Sequence, residues 1–143
     1  EHKNTNSYAY RVIKNFKKIG SQAFFYGFKN HEFVEEKMKT ASIIVIPSIW
    51  EEPFGLVAAE AMSNGISIIA SKVGGMPEII GDNGVLIENI NYKKLRKNLI
   101  ELLKNSTLIE YYQKKAWKNF KLSSALSSKQ LDNHRKIIFQ NYY

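Results

Sequence analysis

Two glutamates, Glu52 and Glu60, are separated by seven residues in a stretch whose composition suits a ligand site. Glu52 follows a continuous apolar run at residues 42–48, and Glu60 lies within an apolar segment that begins near Gly55. If that segment is a helix, its first turn presents free backbone amides and a partial positive charge to the preceding loop, where anions bind. Gly55 has no side chain, so a ligand can approach the backbone closely. An anion could therefore bind at the start of this segment, and a ligand hydroxyl could pair with Glu60.

Each glutamate taken alone also has an ordinary structural interpretation. The apolar residues around Glu60 predict a buried helix, and a buried carboxylate is costly unless it is paired or hydrogen-bonded. A ligand hydroxyl and an internal partner (the backbone or a lysine) explain Glu60 equally well. Glu52 alone is better explained as a solvated carboxylate near the positive end of a helix. Only the pair, with the residues around it, is specific enough to favour a functional site.

The chain carries a formal net charge of +8 and has a sequence pI of about 9.6. Nucleic acid or an anionic membrane surface would explain such a charge. The lysines are spread through helical segments, however, so solvated helix faces are the better explanation and no nucleic acid partner is expected.

No metal site or membrane span is predicted. Cysteine is absent, and the three histidines, His2, His31 and His134, lie far apart in sequence. No apolar stretch reaches the roughly 18 residues of a transmembrane helix, and the first residues are polar, unlike a signal peptide. We therefore expect a cytoplasmic protein, with peripheral contact to the inner face of the membrane as a further expectation.

Hydrophobic periodicity and turn residues predict an alternation of helices and strands. Helices are predicted at residues 5–19, 31–40 and 55–64, in a short turn opened by Pro77, from residue 91 onward with Ser106 as an N-cap, and at about 127–142. Strands are predicted at residues 22–28, 42–48, 66–71 and 84–88. The alternation implies an α/β, Rossmann-like parallel sheet with helices on both faces, and ligands bind beyond the carboxyl ends of such strands.

Five segments, in order, resemble the family-4 retaining glycosyltransferases. Residues 47–65 resemble the family's signature: Pro-Ser, an acidic residue, Phe-Gly, Glu-Ala-Met and a glycine. The other four segments are residues 26–28, 66–70, 74–80 and 83–86. The resemblance spans about residues 20–142, and five matched segments in order are far more specific than two spaced glutamates alone.

This resemblance implies a role for each matched residue. Glu52 would face the donor sugar as the catalytic carboxylate, and Glu60 would hold the ribose hydroxyls of the nucleotide. The amides of Phe54, Gly55 and Leu56 would approach the sugar or its diphosphate. The implied reaction transfers a sugar, with retention, from a UDP- or GDP-sugar to an acceptor hydroxyl in polysaccharide, lipopolysaccharide or glycolipid synthesis. No separate cofactor is implied.

Two glycine-containing segments complete the implied donor site. The nucleotide base would lie near Gly27 and Phe28. Gly74 and Gly75 would line the donor pocket, although a plain turn that requires glycine explains them slightly better.

Family members normally begin this domain with two further strands, which provide an Arg and a Lys for the donor phosphates. Residues 1–143 therefore resemble a partial C-terminal, nucleotide-sugar-binding half of a GT-B fold, with the first two strands missing. The helix at 127–142 would cross to the absent N-terminal domain, which binds the acceptor glycan or glycolipid. Two alternatives remain: a catalytically inactive nucleotide-sugar-binding fragment, and a basic nucleic-acid-binding α/β domain.

The missing strands would be central in the family's sheet. We therefore expect the strand at 22–28 to pair directly with that at 43–48, or another chain to cover the exposed edges. Because an unprotected edge invites association, oligomerisation or a domain swap is a further expectation.

Overall fold

A computed structural model describes residues 8–120 of the chain. The predicted helix at 127–142, the first residues of the helix at 5–19, His2 and His134 lie outside the described residues. The chain divides into two compact units, and the first unit ends at Glu36. The elements are α1 (Tyr8–Phe16), α2 (His31–Thr40), β1 (Ile43–Ile46), α3 (Leu56–Ser63), β2 (Ser67–Ser71), α4 (Met76–Ile80), β3 (Val85–Ile87), α5 (Tyr92–Leu103) and α6 (Ser106–Asn119).

In the first unit, the predicted strand at 22–28 is wrong. Residues 20–22 form a short 3-10 turn, and residues 23–30 form no strand. Gly27 has a φ of +66°, a left-handed conformation that interrupts an extended backbone. The aromatic residues give this segment a high strand propensity, yet it forms no strand. Strand propensity reflects how well side chains pack on a sheet surface, so it does not by itself produce a strand. The expected pairing of 22–28 with 43–48 is wrong for the same reason.

The second unit contains a parallel sheet of three strands in the order β1-β2-β3. Ile43 of β1 aligns with Ser67 of β2, and Ile69 of β2 aligns with Val85 of β3. All three strands were predicted from the sequence, with bounds that differ from the observed ones by no more than two residues at either end. β2 is buried along its whole length, as its position between two parallel neighbours requires.

Helices cover both faces of this sheet, which confirms the predicted α/β class. Alternate side chains of β2 enter two separate clusters: Ile68 and Ala70 pack in one, and Ile69 packs in the other. The first cluster includes residues of α3 and α4, and the second includes Leu102 of α5. The alternation follows from the two-residue repeat of a strand.

Helix α6 runs along the amino ends of the strands. Its side chains contact the segments before β1, β2 and β3: Gln113 Nε2 donates to Ser42 O (3.4 Å), Trp117 packs beside Gly65, and Lys115 Nζ lies 2.6 Å from Asp82 Oδ2. The helix is capped by Asn105, whose side chain accepts from the Leu108 amide, and not by Ser106 as predicted. Because α6 covers the amino ends of the strands, a site formed by loops is expected at their carboxyl ends.

Candidate functional site

The loop between β1 and α3 ends in a helix N-terminus that a glycine makes possible. Gly55 is the N-cap residue, with a φ of +78°, and its carbonyl accepts hydrogen bonds from the amides of Ala58 and Ala59. A Cβ at Gly55 would lie only 3.2 Å from Sδ of Met76. No side chain caps this terminus. The amides of the first turn therefore point outward without an intrahelical acceptor, which is the arrangement that receives anions.

Glu60 is half-buried near the middle of α3, where a buried helix was predicted. That prediction is wrong for one side of the helix, because Leu56 and Val57 are 62% and 39% exposed. The opposite side, which includes Ala58 and Ala61, is buried against the sheet. Because apolar residues occur on all sides of this helix, the sequence pattern does not predict which of them are exposed. In the structure the exposed apolar residues lie in the first turn.

Glu52 is held by the turn at Gly74 and Gly75, which follows β2. The Gly75 amide donates to the Glu52 carbonyl (2.8 Å), and the Glu52 amide donates to the Trp50 carbonyl (2.9 Å). A Cβ on Gly74 would collide with the Glu52 carbonyl oxygen, and a Cβ on Gly75 would lie 2.6 Å from the Pro53 carbonyl oxygen. Both glycines are therefore required because the turn packs directly on the backbone of the acidic loop.

The second unit brings together seven of the nine residues expected in the donor site. Glu52, Phe54, Gly55, Leu56, Glu60, Gly74 and Gly75 belong to the loop after β1, to α3 and to the turn after β2. Gly27 and Phe28 belong to the first unit, where the Phe28 side chain is fully exposed.

A cleft of about 570 Å³ opens at the carboxyl ends of all three strands. Its polar lining residues follow the three strands: Ser48 and Glu51 follow β1, Lys72 follows β2, and Glu88 and Asn89 follow β3. None of the five was proposed as a site residue from the sequence, although Ser48 and Glu51 lie within the matched segment at 47–65. Gly74 also lines the cleft. The positions just after predicted strands are the signal that could have found these residues.

An ion pair forms part of the cleft wall. Lys72 Nζ lies 2.6 Å from Glu88 Oε1, and this hydrogen bond lowers the pKa of the Glu88 carboxyl below its ordinary value. Lys94 donates to the Glu88 carbonyl at 2.7 Å. Asn89, the next residue, has a φ of +47°, which asparagine tolerates better than most residues.

Charge is distributed unevenly around the site. Residues 42–91 contain six carboxylates and a single lysine, Lys72, for a formal charge of −5, whereas residues 92–119 carry +6. The basic character of the chain therefore belongs to α5 and α6 and not to the loops at the carboxyl edge. Within residues 8–120, no three metal-ligating side chains cluster, and no helix has the length and apolarity to cross a membrane.

An open parallel sheet with an acidic loop and an uncapped helix at its carboxyl edge defines the class of Rossmann-like ligand-binding domains. Residues 6–119 match the family model for glycosyl transferases group 1. The chain belongs to this family.

The proteins similar to this chain include the following three. An uncharacterized glycosyltransferase of Methanocaldococcus jannaschii is 35% identical over 112 residues, which are 71% of this chain and 28% of that protein. A solved sucrose-phosphate synthase from Thermosynechococcus elongatus has 25% identity and a TM-score of 0.73, with 92% of this chain and 35% of the other covered. HepE of Anabaena, solved with UDP and glucose, has 20% identity and a TM-score of 0.75, with 93% and 37% covered.

These structures are glycosyltransferases of the GT-B type, so the fold class predicted from the sequence is confirmed. The chain spans about a third of the length of each of these three proteins.

Proposed function

We propose that this chain is the donor-binding part of a retaining glycosyltransferase, and that it binds a nucleoside-diphosphate sugar at the start of α3. The observation that carries the proposal is the uncapped N-terminus of α3, with Glu52 three residues before the N-cap residue Gly55 and Glu60 within the helix. Free amides suit the diphosphate, and carboxylates suit hydroxyls because an ionised carboxylate only accepts hydrogen bonds.

Each residue then has a defined task. The amides of Phe54, Gly55 and Leu56 hold the diphosphate and stabilise its negative charge as it departs, an electrostatic effect like that of an oxyanion hole. Glu60 accepts hydrogen bonds from the ribose hydroxyls. Glu52 orients the donor sugar and supports the positive charge that develops on it. This differs from glycoside hydrolysis, which requires two opposed carboxylic groups.

Two further contributions are proposed for residues outside α3. Gly27 and Phe28 contact the nucleotide base. Gly74 and Gly75 hold the Glu52 loop, since any Cβ at either position would meet that loop's backbone. The nucleic-acid-binding alternative leaves the Glu52 and Glu60 motif unexplained, and the net negative charge of residues 42–91 gives a nucleic acid backbone no cationic surface at the carboxyl ends of the strands.

The whole protein would transfer the sugar to an acceptor glycan or glycolipid. Synthesis of polysaccharide or lipopolysaccharide at the inner face of a membrane fits the +6 charge of residues 92–119, because anionic lipid attracts lysine-rich segments.

The first test titrates the full chain with UDP, UDP-glucose, GDP and GDP-mannose by calorimetry. Glu60→Ala should weaken the preferred nucleotide about tenfold to a hundredfold, the cost of hydrogen bonds to a charged group. The nucleotide affinity of Glu60→Gln should fall between that of the unaltered chain and that of Glu60→Ala, because one acceptor oxygen remains. Glu78→Ala, an exposed carboxylate on α4, is the matched control and should leave binding unchanged.

Equal binding by Glu60→Ala and the unaltered chain would remove Glu60 from the site. Failure of all four nucleotides to bind the unaltered chain would contradict donor binding by this chain. Nucleotide binding without sugar transfer to any acceptor would favour the alternative of an inactive binding fragment.

A further inference from the structure

A second pocket lies between β3 and the first half of α5, and the proposed donor binding makes no use of it. Its volume of about 490 Å³ is within the range of roughly 300–1,000 Å³ typical of ligand pockets. Residues 86–88, residues 94–98 and Lys72 contribute to its walls, and we call it the β3–α5 pocket. In the described sheet β3 has β2 on one side only, so its other edge can face a ligand.

The β3–α5 pocket is separate from the cleft at the carboxyl ends of the strands. Lys72 and Glu88 line both cavities, so their ion pair lies between the two. Ser48, Glu51 and Gly74 line the cleft alone, and no residue of β1, of the loop after β1 or of α3 lines the β3–α5 pocket. A ligand in this pocket would therefore not occupy the proposed donor site.

The charge of the pocket is strongly positive. Lys72, Lys94 and Lys97 contribute three ammonium groups, and Glu88 contributes the one carboxylate of the lining, which leaves a formal charge of +2. Lys72 is also the single lysine of residues 42–91, which are otherwise acidic. The lining therefore favours an anionic ligand over a neutral one.

Glu88 holds two of the ammonium groups in place. Lys72 Nζ donates to Glu88 Oε1 at 2.6 Å, and Lys94 Nζ donates to the Glu88 carbonyl at 2.7 Å. The hydrogen bond from Lys72 and, to a smaller extent, the charge of Lys94 lower the pKa of the Glu88 carboxyl. An ammonium group has three N–H donors, so each lysine keeps further donors for a ligand.

Lys97 is the cation that lacks a counter-charge. It lies three residues after Lys94, on the same face of α5, where two like charges repel each other. Lys97 is exposed and forms no ion pair within residues 8–120, and Glu101, one turn further along, lies outside the pocket. An anion between Lys94 and Lys97 would replace this repulsion with attraction.

The open edge of β3 adds a backbone donor. The Lys72 amide donates to the Ile87 carbonyl at 3.0 Å, so the backbone of Ile87 faces β2. Alternate residues of a strand face opposite edges, and the amide of Leu86 therefore points to the open edge, at the pocket. A ligand oxygen there can accept from this amide as well as from the lysines.

We propose that the β3–α5 pocket binds a phosphate monoester, whose oxygens accept hydrogen bonds from Lys72, Lys94 and Lys97. The charge of such a group near pH 7, about −1.5 to −2, matches the positive charge of the lining. A soluble phosphate ester and a phospholipid with a terminal phosphate present the same group. The proposal is independent of the donor site.

The experiment is an amide chemical-shift titration of the full chain with inorganic phosphate and with glycerol 3-phosphate, against sodium chloride at equal ionic strength. Both phosphates should give saturable shifts at residues 86–88 and 94–98, with a Kd of roughly 1–10 mM, as expected for a ligand this small. Phosphate bound at the start of α3 would shift residues 54–57 instead, so the positions of the shifts separate the two sites.

Three substitutions test the part played by Lys97. Lys97→Gln should weaken phosphate binding roughly fivefold, the effect of one exposed cation beside an anion. Lys97→Arg keeps the charge and should retain binding. Lys93→Gln removes the same charge from the same exposed helix, but Lys93 does not line the pocket, so this control should change the Kd little.

Vesicles distinguish the two sources of the phosphate group. Phosphatidylcholine vesicles that contain phosphatidic acid expose a monoester, whereas phosphatidylglycerol at equal surface charge exposes a diester. Tighter binding to phosphatidic acid, with a preference that Lys97→Gln removes, would identify a lipid headgroup as the ligand. Shifts with glycerol 3-phosphate and equal binding to both kinds of vesicle would identify a soluble ester.

Three results would overturn the proposal: no saturable shift at residues 86–88 and 94–98, equal shifts with chloride, or equal weakening by Lys97→Gln and Lys93→Gln. A failure of nucleotides to bind would contradict the donor proposal and leave this one intact. Nucleotide binding without phosphate shifts at the β3–α5 pocket would contradict this inference alone.

Discussion

The contact between Gly74 and Glu52 shows how one residue without a side chain can position another that has one. Gly74 has a φ of +51°, and its Cα faces the backbone of Glu52 so closely that a Cβ would collide with the carbonyl oxygen. The amide of Gly75 adds a hydrogen bond to the same carbonyl. The proposed catalytic carboxylate is thus held from the backbone side, and its side chain remains available.

Gly74→Ala should therefore cost more than the conformational strain of a left-handed alanine, which is about 1–2 kcal/mol. Its urea midpoint should fall further than that of Gly65→Ala, a control with a φ of +63° whose Cβ would meet nothing closer than 3.6 Å. UDP binding should weaken in Gly74→Ala and stay unchanged in Gly65→Ala. Equal loss of stability in the two variants would show that the loop contact contributes nothing.

Sequence alone predicts the acidic loop and its glycines, but not the cleft beside them. Glu52 and Glu60 are recognisable because they lie on one continuous segment with a specific spacing. Glu51, Lys72 and Glu88 come from three segments that meet only when the sheet forms. Their individual types are those of ordinary surface residues, so only their positions close after predicted strands could have drawn attention to them.

At the scale of elements, α6 covers the amino ends of the three strands, so that ligands can reach only their carboxyl ends. Its contact with the segment before β3 includes the Asp82–Lys115 ion pair and a hydrogen bond from Asn119 to Asn83 at 2.7 Å. The hydrogen bond from Lys115 lowers the pKa of Asp82 below its ordinary 3.8, and the same bond raises the pKa of Lys115 above 10.5.

These shifts define the pH range in which the pair stabilises the fold. The contribution of Asp82 is present above its unfolded pKa and is lost as the pH falls through its folded value, whereas that of Lys115 is lost only as the pH rises through its own. Asp82→Asn should therefore lower the free energy of unfolding at pH 7, and the difference from the unaltered chain should disappear in acid.

Urea unfolding at pH 7 and at acidic pH measures this difference. Glu110→Gln is the control, because its i,i+4 pair with Lys114 is exposed and longer, at 3.6 Å, and such pairs contribute little. A destabilisation by Asp82→Asn that persists unchanged in acid would show that the ion pair is not its cause.

The three strands β1, β2 and β3 were predictable because each is an apolar run bounded by glycine, proline or polar residues. The segment at 22–28 has comparable strand propensity and is not a strand, since Gly27 takes a left-handed conformation. The N-cap at Asn105 was missed because Ser106 is an equally good capping residue, and backbone geometry decides between neighbours. Sequence propensity thus predicts a strand correctly where a neighbouring strand is there to pair with it. The first and last residues of each element depend on the local backbone geometry.

For the molecule as a whole, β1 is the first strand of the described sheet yet is as apolar as a central strand. An edge of that kind invites another strand, and we expect the chain to self-associate through it. Sedimentation velocity across a concentration series should show the average mass rising with concentration. A monomer at every concentration would contradict this expectation.

The charge separation along the chain leads to a second prediction for the whole molecule. Basic residues dominate α5 and α6, and large exposed side chains, Tyr92, Leu103, Tyr111 and Trp117, stand among them. Lysines attract anionic lipid and aromatic residues favour the lipid–water interface, so these helices should bind vesicles that contain anionic lipid.

Lys97→Glu combined with Lys104→Glu should abolish most of this binding, because each lysine near such a surface contributes about 1 kcal/mol and each reversal adds repulsion. The same double reversal at Lys14 and Lys17, exposed in the first unit, is the charge-matched control and should retain more of it. Co-sedimentation with vesicles provides the measurement, and binding should decline as salt shortens the screening length from about 30 Å at 0.01 M to about 10 Å at 0.1 M. Equal loss of vesicle binding in both double variants would mean that net charge alone determines the attraction, and not the surface of α5 and α6. No vesicle binding at low salt would exclude peripheral contact with the membrane through these helices.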